Sequence, residues 1–190
     1  LDSVGTTLLQ AASDLLAAEG PSALTVRRIA ADAGVSTMNV YSRFGGKDGV
    51  IEHLFVAGFT ELGAGMDAAD ETNDPVADLR RCGIAYRTFA LANATTYSIM
   101  FDRPVPDFVP SDAALEVAGA TLGKLAARIQ RVMDAGMFAA ADPLQTAAVV
   151  WATCHGVVSL ELRHVGPAPL VDWAVVYEQA MDAITRGLRT

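Results

Sequence analysis

The stretch that decides the fold runs from Thr25 to Phe44, TVRRIAADAGVSTMNVYSRF. It divides at Gly34. Thr25 reads as the N-cap of a short helix over Val26 to Ala33. Gly34 breaks that helix, Ser36 or Thr37 caps the next, and the second helix runs to about Phe44 before Gly45-Gly46. Two short helices across a turn of three or four residues make a helix-turn-helix. That geometry needs a small residue where the helices touch, and Ala30 supplies it. The turn needs a residue tolerant of unusual backbone angles, which is Gly34. Ile29, Ala33, Val35 and Val40 are the expected inner faces. Ser36, Thr37, Asn39, Tyr41 and Ser42 leave the second helix with a small, hydrogen-bonding outer face, suited to base edges and phosphates in a major groove. The plain alternative is an ordinary helical hairpin. Core packing competes for Tyr41, and a solvated surface charge competes for Arg43.

Outward from this stretch nearly every segment has a helical period. Ser3 to Glu19 forms a first helix with Leu8, Ala12, Leu15 and Leu16 in one stripe, stopped by Gly20-Pro21. A fourth helix begins near Lys47 and carries Val50, Ile51, Leu54, Phe55, Gly58, Phe59 and Leu62 on one side. Asp67 to Asp74 reads as its end and a loop. Pro75 suits the first turn of a helix towards Ala92. Tyr97 to Phe101 is a short helical piece, followed by a loop with Pro104, Pro106 and Pro110. Ser111 or Asp112 caps a long helix with the stripe Leu115, Ala118, Leu122, Leu125, Ala126, Ile129 and Met133, with Gly136 near its end. Asp142-Pro143 opens a helix ending near Val165, before Gly166-Pro167, and the last helix holds Trp173, Val176, Tyr177, Ala180, Met181 and Ile184. The expectation is an all-α chain of about nine helices. It comprises a helix-turn-helix domain over residues 1–46 and a helical effector-binding and dimerisation domain over 47–190.

The run from Leu8 through Phe55 resembles the DNA-binding domain of the TetR family of bacterial transcription regulators. The pieces that match are the first amphipathic helix, Leu24-Thr25-Val26, Ile29-Ala30, Ala33-Gly34-Val35-Ser36, Val40-Tyr41, Phe44 and Lys47. Trp151, His155 and Gly156 (WATCHG) look like the Trp-His-Gly motif of one class of C-terminal domains in that family. The resemblance implies that Thr25 binds a backbone phosphate at a helix N-terminus, with Arg27 and Arg28 adding phosphate contacts. Thr37 and Asn39 would face bases or nearby phosphates, Tyr41 would give its hydroxyl to a phosphate, and Lys47 would fix register on the backbone. Ser36, Ser42 and Arg43 complete the candidate DNA-binding set.

Charge departs from that pattern. The 190 residues carry 14 Lys and Arg, mostly Arg, against 22 Asp and Glu, a formal net charge of −8. Such acidity argues against a surface that grips nucleic acid all over, though not against a local basic face. Residues 1–55 hold four basic side chains (Arg27, Arg28, Arg43, Lys47) and six acidic ones (Asp2, Asp14, Glu19, Asp32, Asp48, Glu52). The expectation is modest affinity for DNA and a shallow dependence on salt. A basic arm ahead of Leu1 would restore the balance.

With 52% hydrophobic residues a disordered chain is excluded. No apolar run is long enough to span a bilayer, and no basic-then-apolar leader opens the sequence. Cys82 and Cys154 lack CxxC spacing, so a reduced, cytoplasmic protein with both thiols in the core is expected. His53, His155 and His164 have no metal-ligand spacing, and no catalytic motif stands out. Neither a cofactor nor an enzymatic activity is expected.

In the second half, Phe55, Phe59, Tyr86, Phe89, Tyr97, Met100, Phe101, Met133, Trp151 and His155 are candidates to line a pocket for a small, mostly apolar effector. They serve equally well as core, and His155 as a structural histidine bonded to a neighbour. The helix from Pro143 is apolar on more than one face, so its second side would meet a partner subunit. Val149, Val157, Leu160, Trp173, Tyr177 and Ile184 are the candidate dimer residues, building a four-helix bundle across a homodimer. The functional expectation is a ligand-responsive regulator on a palindromic double-stranded DNA operator, most simply a repressor that its effector releases. The competing reading is an all-helical small-molecule-binding protein or enzyme that has lost DNA binding.

Overall fold

Asp2 starts the chain's first helix by accepting the Gly5 amide on Oδ1 at 2.8 Å. Helix α1 (Ser3–Glu19) buries Leu8, Ala11, Ala12, Leu15 and Leu16, and ends at Gly20. The computed structural model describes residues 1–68, 71–163 and 171–189. After a 3-10 turn (Pro21–Ala23) come α2 (Val26–Asp32), α3 (Thr37–Phe44), α4 (Lys47–Asp67), α5 (Pro75–Ala92) and α6 (Ala94–Phe101). They are followed by α7 (Asp112–Asp134), α8 (Pro143–Leu162) and α9 (Trp173–Leu188). Among the described residues these nine helices are joined by no strand, only an isolated antiparallel bridge between Phe138 and Arg189. No described helix is long and apolar enough to cross a membrane.

The chain forms two compact units. The first comprises Leu1–Thr60 and Asn93–Ala118, the second Glu61–Ala92 and Gly119–Thr190. In the first, α1 packs against both α2 and α3. Ile29, Ala30, Val40, Phe44, Val50 and Ile51 are buried there. Gly34 sits in the turn with φ +68°, a left-handed angle that a side chain would strain. Gly49 serves differently. A Cβ on it would lie 1.7 Å from the Phe44 carbonyl oxygen, so the absence of a side chain lets the end of α3 close on the start of α4.

The second unit is centred on Leu79, Ile129, Val132, Phe138, Ala147 and Val150, with Met133 and Ile184 packed against them. Asp78 is fully buried beside this core. Its carboxylate accepts the Thr72 amide (2.8 Å) and hydroxyl (2.7 Å), Arg131 (3.2 Å) and Arg81. Burial alone would raise the Asp78 pKa, but the Thr72 and Arg131 hydrogen bonds and the Arg81 charge outweigh it and hold the carboxyl below its ordinary value. The group thereby ties the segment before α5 to α7.

Some helical details differ from the sequence reading. α6 begins one turn earlier than Tyr97, directly after a break at Asn93. On α7, Leu115 is exposed, whereas Ala114, Thr121, Arg128, Ile129 and Val132 are buried. The inner stripe therefore includes polar groups that an apolar search passes over, and Arg128 donates to the Met66 carbonyl at 2.6 Å. The expected end of α8 at Val165, the Gly166-Pro167 stop and His164 lie outside the described residues, as do positions 69 and 70 of the loop after α4.

Candidate nucleic-acid interface

Helix α3 has two unlike sides. Val40 and Phe44 point into the first unit, fully or nearly buried. Around the helix from them, Thr37, Tyr41 and Ser42 are exposed, Tyr41 at 54%. Met38 shares that outer side at 70% exposure. It is not among the residues expected from sequence, which were chosen as small, polar and hydrogen-bonding. The periodicity that buries Val40 and Phe44 could have found it, since positions 37, 38, 41 and 42 then face out together. A thioether there offers apolar contact of the kind a thymine methyl accepts.

Thr25 is exposed and caps α2 as expected, its Oγ1 accepting the Arg28 amide at 3.3 Å. Ser36 occupies the cap position of α3 without a side-chain bond to the helix backbone. Its hydroxyl instead accepts Asn39 Nδ2 at 3.1 Å. Asn39 is half-buried, and its Oδ1 accepts Arg43 Nη1 at 2.9 Å. Arg43 in turn clasps Asp2, with Nε to Oδ1 at 3.0 Å and Nη2 to Oδ2 at 2.6 Å. The Arg43 hydrogen bond is the main reason the Asp2 carboxyl is held well below the usual carboxylate range.

The other cations of this region are mostly engaged. Arg28 pairs with Glu19 (2.7 Å) and lies 3.8 Å from Asp32, and its hydrogen bond lowers the Glu19 pKa. Lys47, at the first position of α4, stands 4.0 Å from Asp48. Arg27 is exposed, with no carboxylate partner among the described residues. The acidic residues counted in the sequence are therefore not spread at random. Three of the four basic side chains expected from sequence to meet phosphates already face a carboxylate of their own chain.

The candidate effector residues fall into two groups, one in each unit. In the first, Phe55 and Phe59 meet tilted at 56° with ring centroids 4.9 Å apart, Phe59 meets Phe101 at 5.4 Å, and Phe101 meets Tyr97 at 4.8 Å. Met100 lies beside Gly58 in the same cluster. In the second, Tyr86 and Phe89 are buried and Met133 packs on the core. The Tyr86 hydroxyl accepts Trp151 Nε1 at 3.3 Å and lies 3.1 Å from His155 Nδ1. His155 Nε2 is 3.3 Å from Ser159 Oγ. Cys82 and Cys154 are free thiols in this unit, both buried, and burial pushes the Cys82 thiol up to about 11.

Of the candidate dimer residues, Val149 and Leu160 are exposed on α8 and Val157 is half-buried. On α9, Trp173 and Ile184 are half-buried. Tyr177 differs from the expectation. It is only 2% exposed and donates to the Gly83 carbonyl at 2.6 Å. The physical reason is helical phase: Tyr177, Met181 and Ile184 form the inward stripe of α9, and Val171 and Val175 are the apolar groups left facing out.

Comparison with known proteins agrees with this geometry. A family description "Bacterial regulatory proteins, tetR family" matches residues 8–54. A second, "Tetracyclin repressor-like, C-terminal domain", matches residues 79–184. No curated protein matches the chain. Among solved structures, one of a protein with unknown function from Rhodococcus sp. RHA1 is similar, with TM-score 0.85 and 24% identity over 100% of this chain and 97% of that one. The TetR family transcriptional regulator PfmR from Thermus thermophilus gives TM-score 0.74 and 22% identity over 96% and 99%. SmeT, solved as a complex with triclosan, gives TM-score 0.73 and 18% identity over 100% and 93%. A helix-turn-helix with a hydrogen-bonding outer face and family matches to both halves have one consequence: the chain belongs to the TetR family of bacterial transcription regulators.

Proposed function

We propose that this regulator is a homodimeric repressor that sets one α3 helix into each half-site of a palindromic operator and leaves it when a small, mostly apolar effector binds. The observation that carries this reading is the outer side of α3, where Thr37, Met38, Tyr41 and Ser42 face solvent while Val40 and Phe44 anchor the helix. Thr37, Asn39 and Met38 read base edges, and Thr25, Arg27, Tyr41 and Lys47 hold phosphates. The reading function belongs to residues 1–46, and effector binding and dimerisation belong to 47–190.

Dimerisation is supported by the exposed apolar side chains of two helices that pack on each other, Val149 and Leu160 on α8 and Val175 on α9. Effector binding is supported by the aromatic groups on α4 and α6 and by the Tyr86–Trp151–His155 set, and SmeT takes up triclosan on the same fold. An effector acts only by binding one arrangement of the dimer better than the other. Helix α4 carries Lys47 at one end and Phe55 and Phe59 further along, so a tilt of that single rod moves both. The protein works by binding, without catalysis, in the cytoplasm where its operator lies.

The test is an electrophoretic shift with the DNA upstream of the chain's own coding sequence. Retarded complex that survives excess unrelated duplex is the expected result. A full-length chain with no sequence-selective binding would support the competing reading, a helical ligand-binding protein that has left DNA behind.

A further inference from the structure

Asp2 and Arg43 stand 41 residues apart, and the fold brings them into a forked ion pair. All three guanidinium nitrogens of Arg43 are engaged within the first unit. Nε and Nη2 go to Asp2, and Nη1 goes to Asn39 Oδ1 and, at 3.4 Å, to Ser42 Oγ. Asn39 then passes its Nδ2 to Ser36 Oγ. Arginine has donors only, so the amide must turn its oxygen towards Arg43 and its nitrogen away. Asn39 still keeps one N–H and one oxygen lone pair, which is what pairing with the N7 and N6 edge of adenine requires. Without Asp2, Arg43 would be a free fork beside a polyanion, and phosphate is the stronger attraction there.

We propose that Asp2 is a specificity-determining positioning residue: it withholds Arg43 from the DNA backbone and, through Arg43, sets the amide of Asn39 for one base edge. The contact is exposed, so it adds little to stability. Its effect is on discrimination. It trades a phosphate contact, which every sequence offers, for a fixed reading group, which few sequences satisfy. This inference rests on the DNA-reading role proposed above.

The experiment uses the full chain and a pool of duplexes randomised at their central positions, with bound molecules sequenced. The base position read by Asn39 is the one whose preference Asn39→Ala abolishes. Asp2→Ser keeps a good cap on α1, so the helix stays folded, but it is too short and uncharged to hold Arg43. The expected result is roughly a three- to tenfold loss of preference at that position, a part of what a bidentate base contact supplies. Binding to random-sequence duplex tightens, and the slope of log affinity against log salt steepens by about 0.9, one extra phosphate contact. In an Arg43→Gln background, Asp2→Ser changes nothing further. A merely structural Asp2 would shift the melting temperature and leave preference and slope alone, which overturns the proposal. So do effects of Asp2→Ser that persist without Arg43. A wild-type chain that enriches no sequence removes the DNA-reading role itself, whereas enrichment that Asp2→Ser leaves intact removes only the role given to Asp2.

Discussion

Asp78 and Asn39 show how differently two polar side chains can be used in one chain. Asp78 is a fully buried anion whose donors hold its pKa below the ordinary carboxylate value of 3.8. A lowered folded-state pKa contributes stability that is complete above the unfolded value and fades as pH falls through the folded one. The melting temperature should therefore drop as pH is taken down through and below 3.8, more steeply in the wild type than in Asp78→Asn. Calorimetry across that range checks it, and parallel acid limbs for the two proteins would contradict it. Asn39 could be picked out of the sequence as a candidate base reader because its type and its place on α3 are local facts. Its orientation could not, because that depends on Asp2, the cap of α1 far back along the chain. Tyr177 was misplaced for a related reason: an aromatic at the right spacing fits an interface or a core, and only packing against α5 decides.

The elements of the first unit were legible because their boundaries are written in single residues. Thr25 caps α2, Gly34 takes the left-handed angle of the turn, and Gly45 ends α3 with φ +73°. The α7 stripe was less legible because Thr121 and Arg128 hold positions where an apolar pattern expects otherwise. Gly49 gives the sharpest test at this scale. A methyl group there meets the Phe44 backbone oxygen at 1.7 Å, and a backbone atom cannot swing aside. Gly49→Ala should cost about 1–3 kcal/mol, the usual range for overpacking, and lower the melting temperature by roughly 2–12 °C for a chain of this size. Because α3 must shift to make room, affinity for the operator should fall by more than the stability loss explains. Unchanged melting and binding would show that the two helices do not depend on that approach.

For the whole molecule, pairing and charge set the expectations. Val149 and Val175 are about half exposed and, with Leu160, lie on two helices that pack on each other, the apolar side proposed to meet a second copy. Placing Glu at both should raise the dimer dissociation constant at least about a hundredfold, since apolar burial is lost and each chain leaves two charges in the contact. Sedimentation equilibrium would then report a single-chain mass, with helical content unchanged by circular dichroism; a persistent dimer would move the interface elsewhere. The net charge of −8 was plain from composition, but not where the acids lie. Asp2, Glu19 and Asp48 face Arg43, Arg28 and Lys47, so the region expected to meet phosphates is largely neutralised by its own chain.

The central claim is that the outer side of α3 reads DNA. Binding of the full chain to a duplex enriched from a random pool tests it most directly, with wild type compared against Asn39→Ala combined with Tyr41→Phe. Both side chains lie outside the buried anchors Val40 and Phe44, and Asn39 gives up only its bonds to Ser36 and Arg43, so the variant should keep its melting temperature within about 4 °C. The account predicts at least roughly a tenfold loss of affinity for the enriched duplex, about what one lost base contact supplies. Equal affinity of the two proteins for that duplex would contradict it.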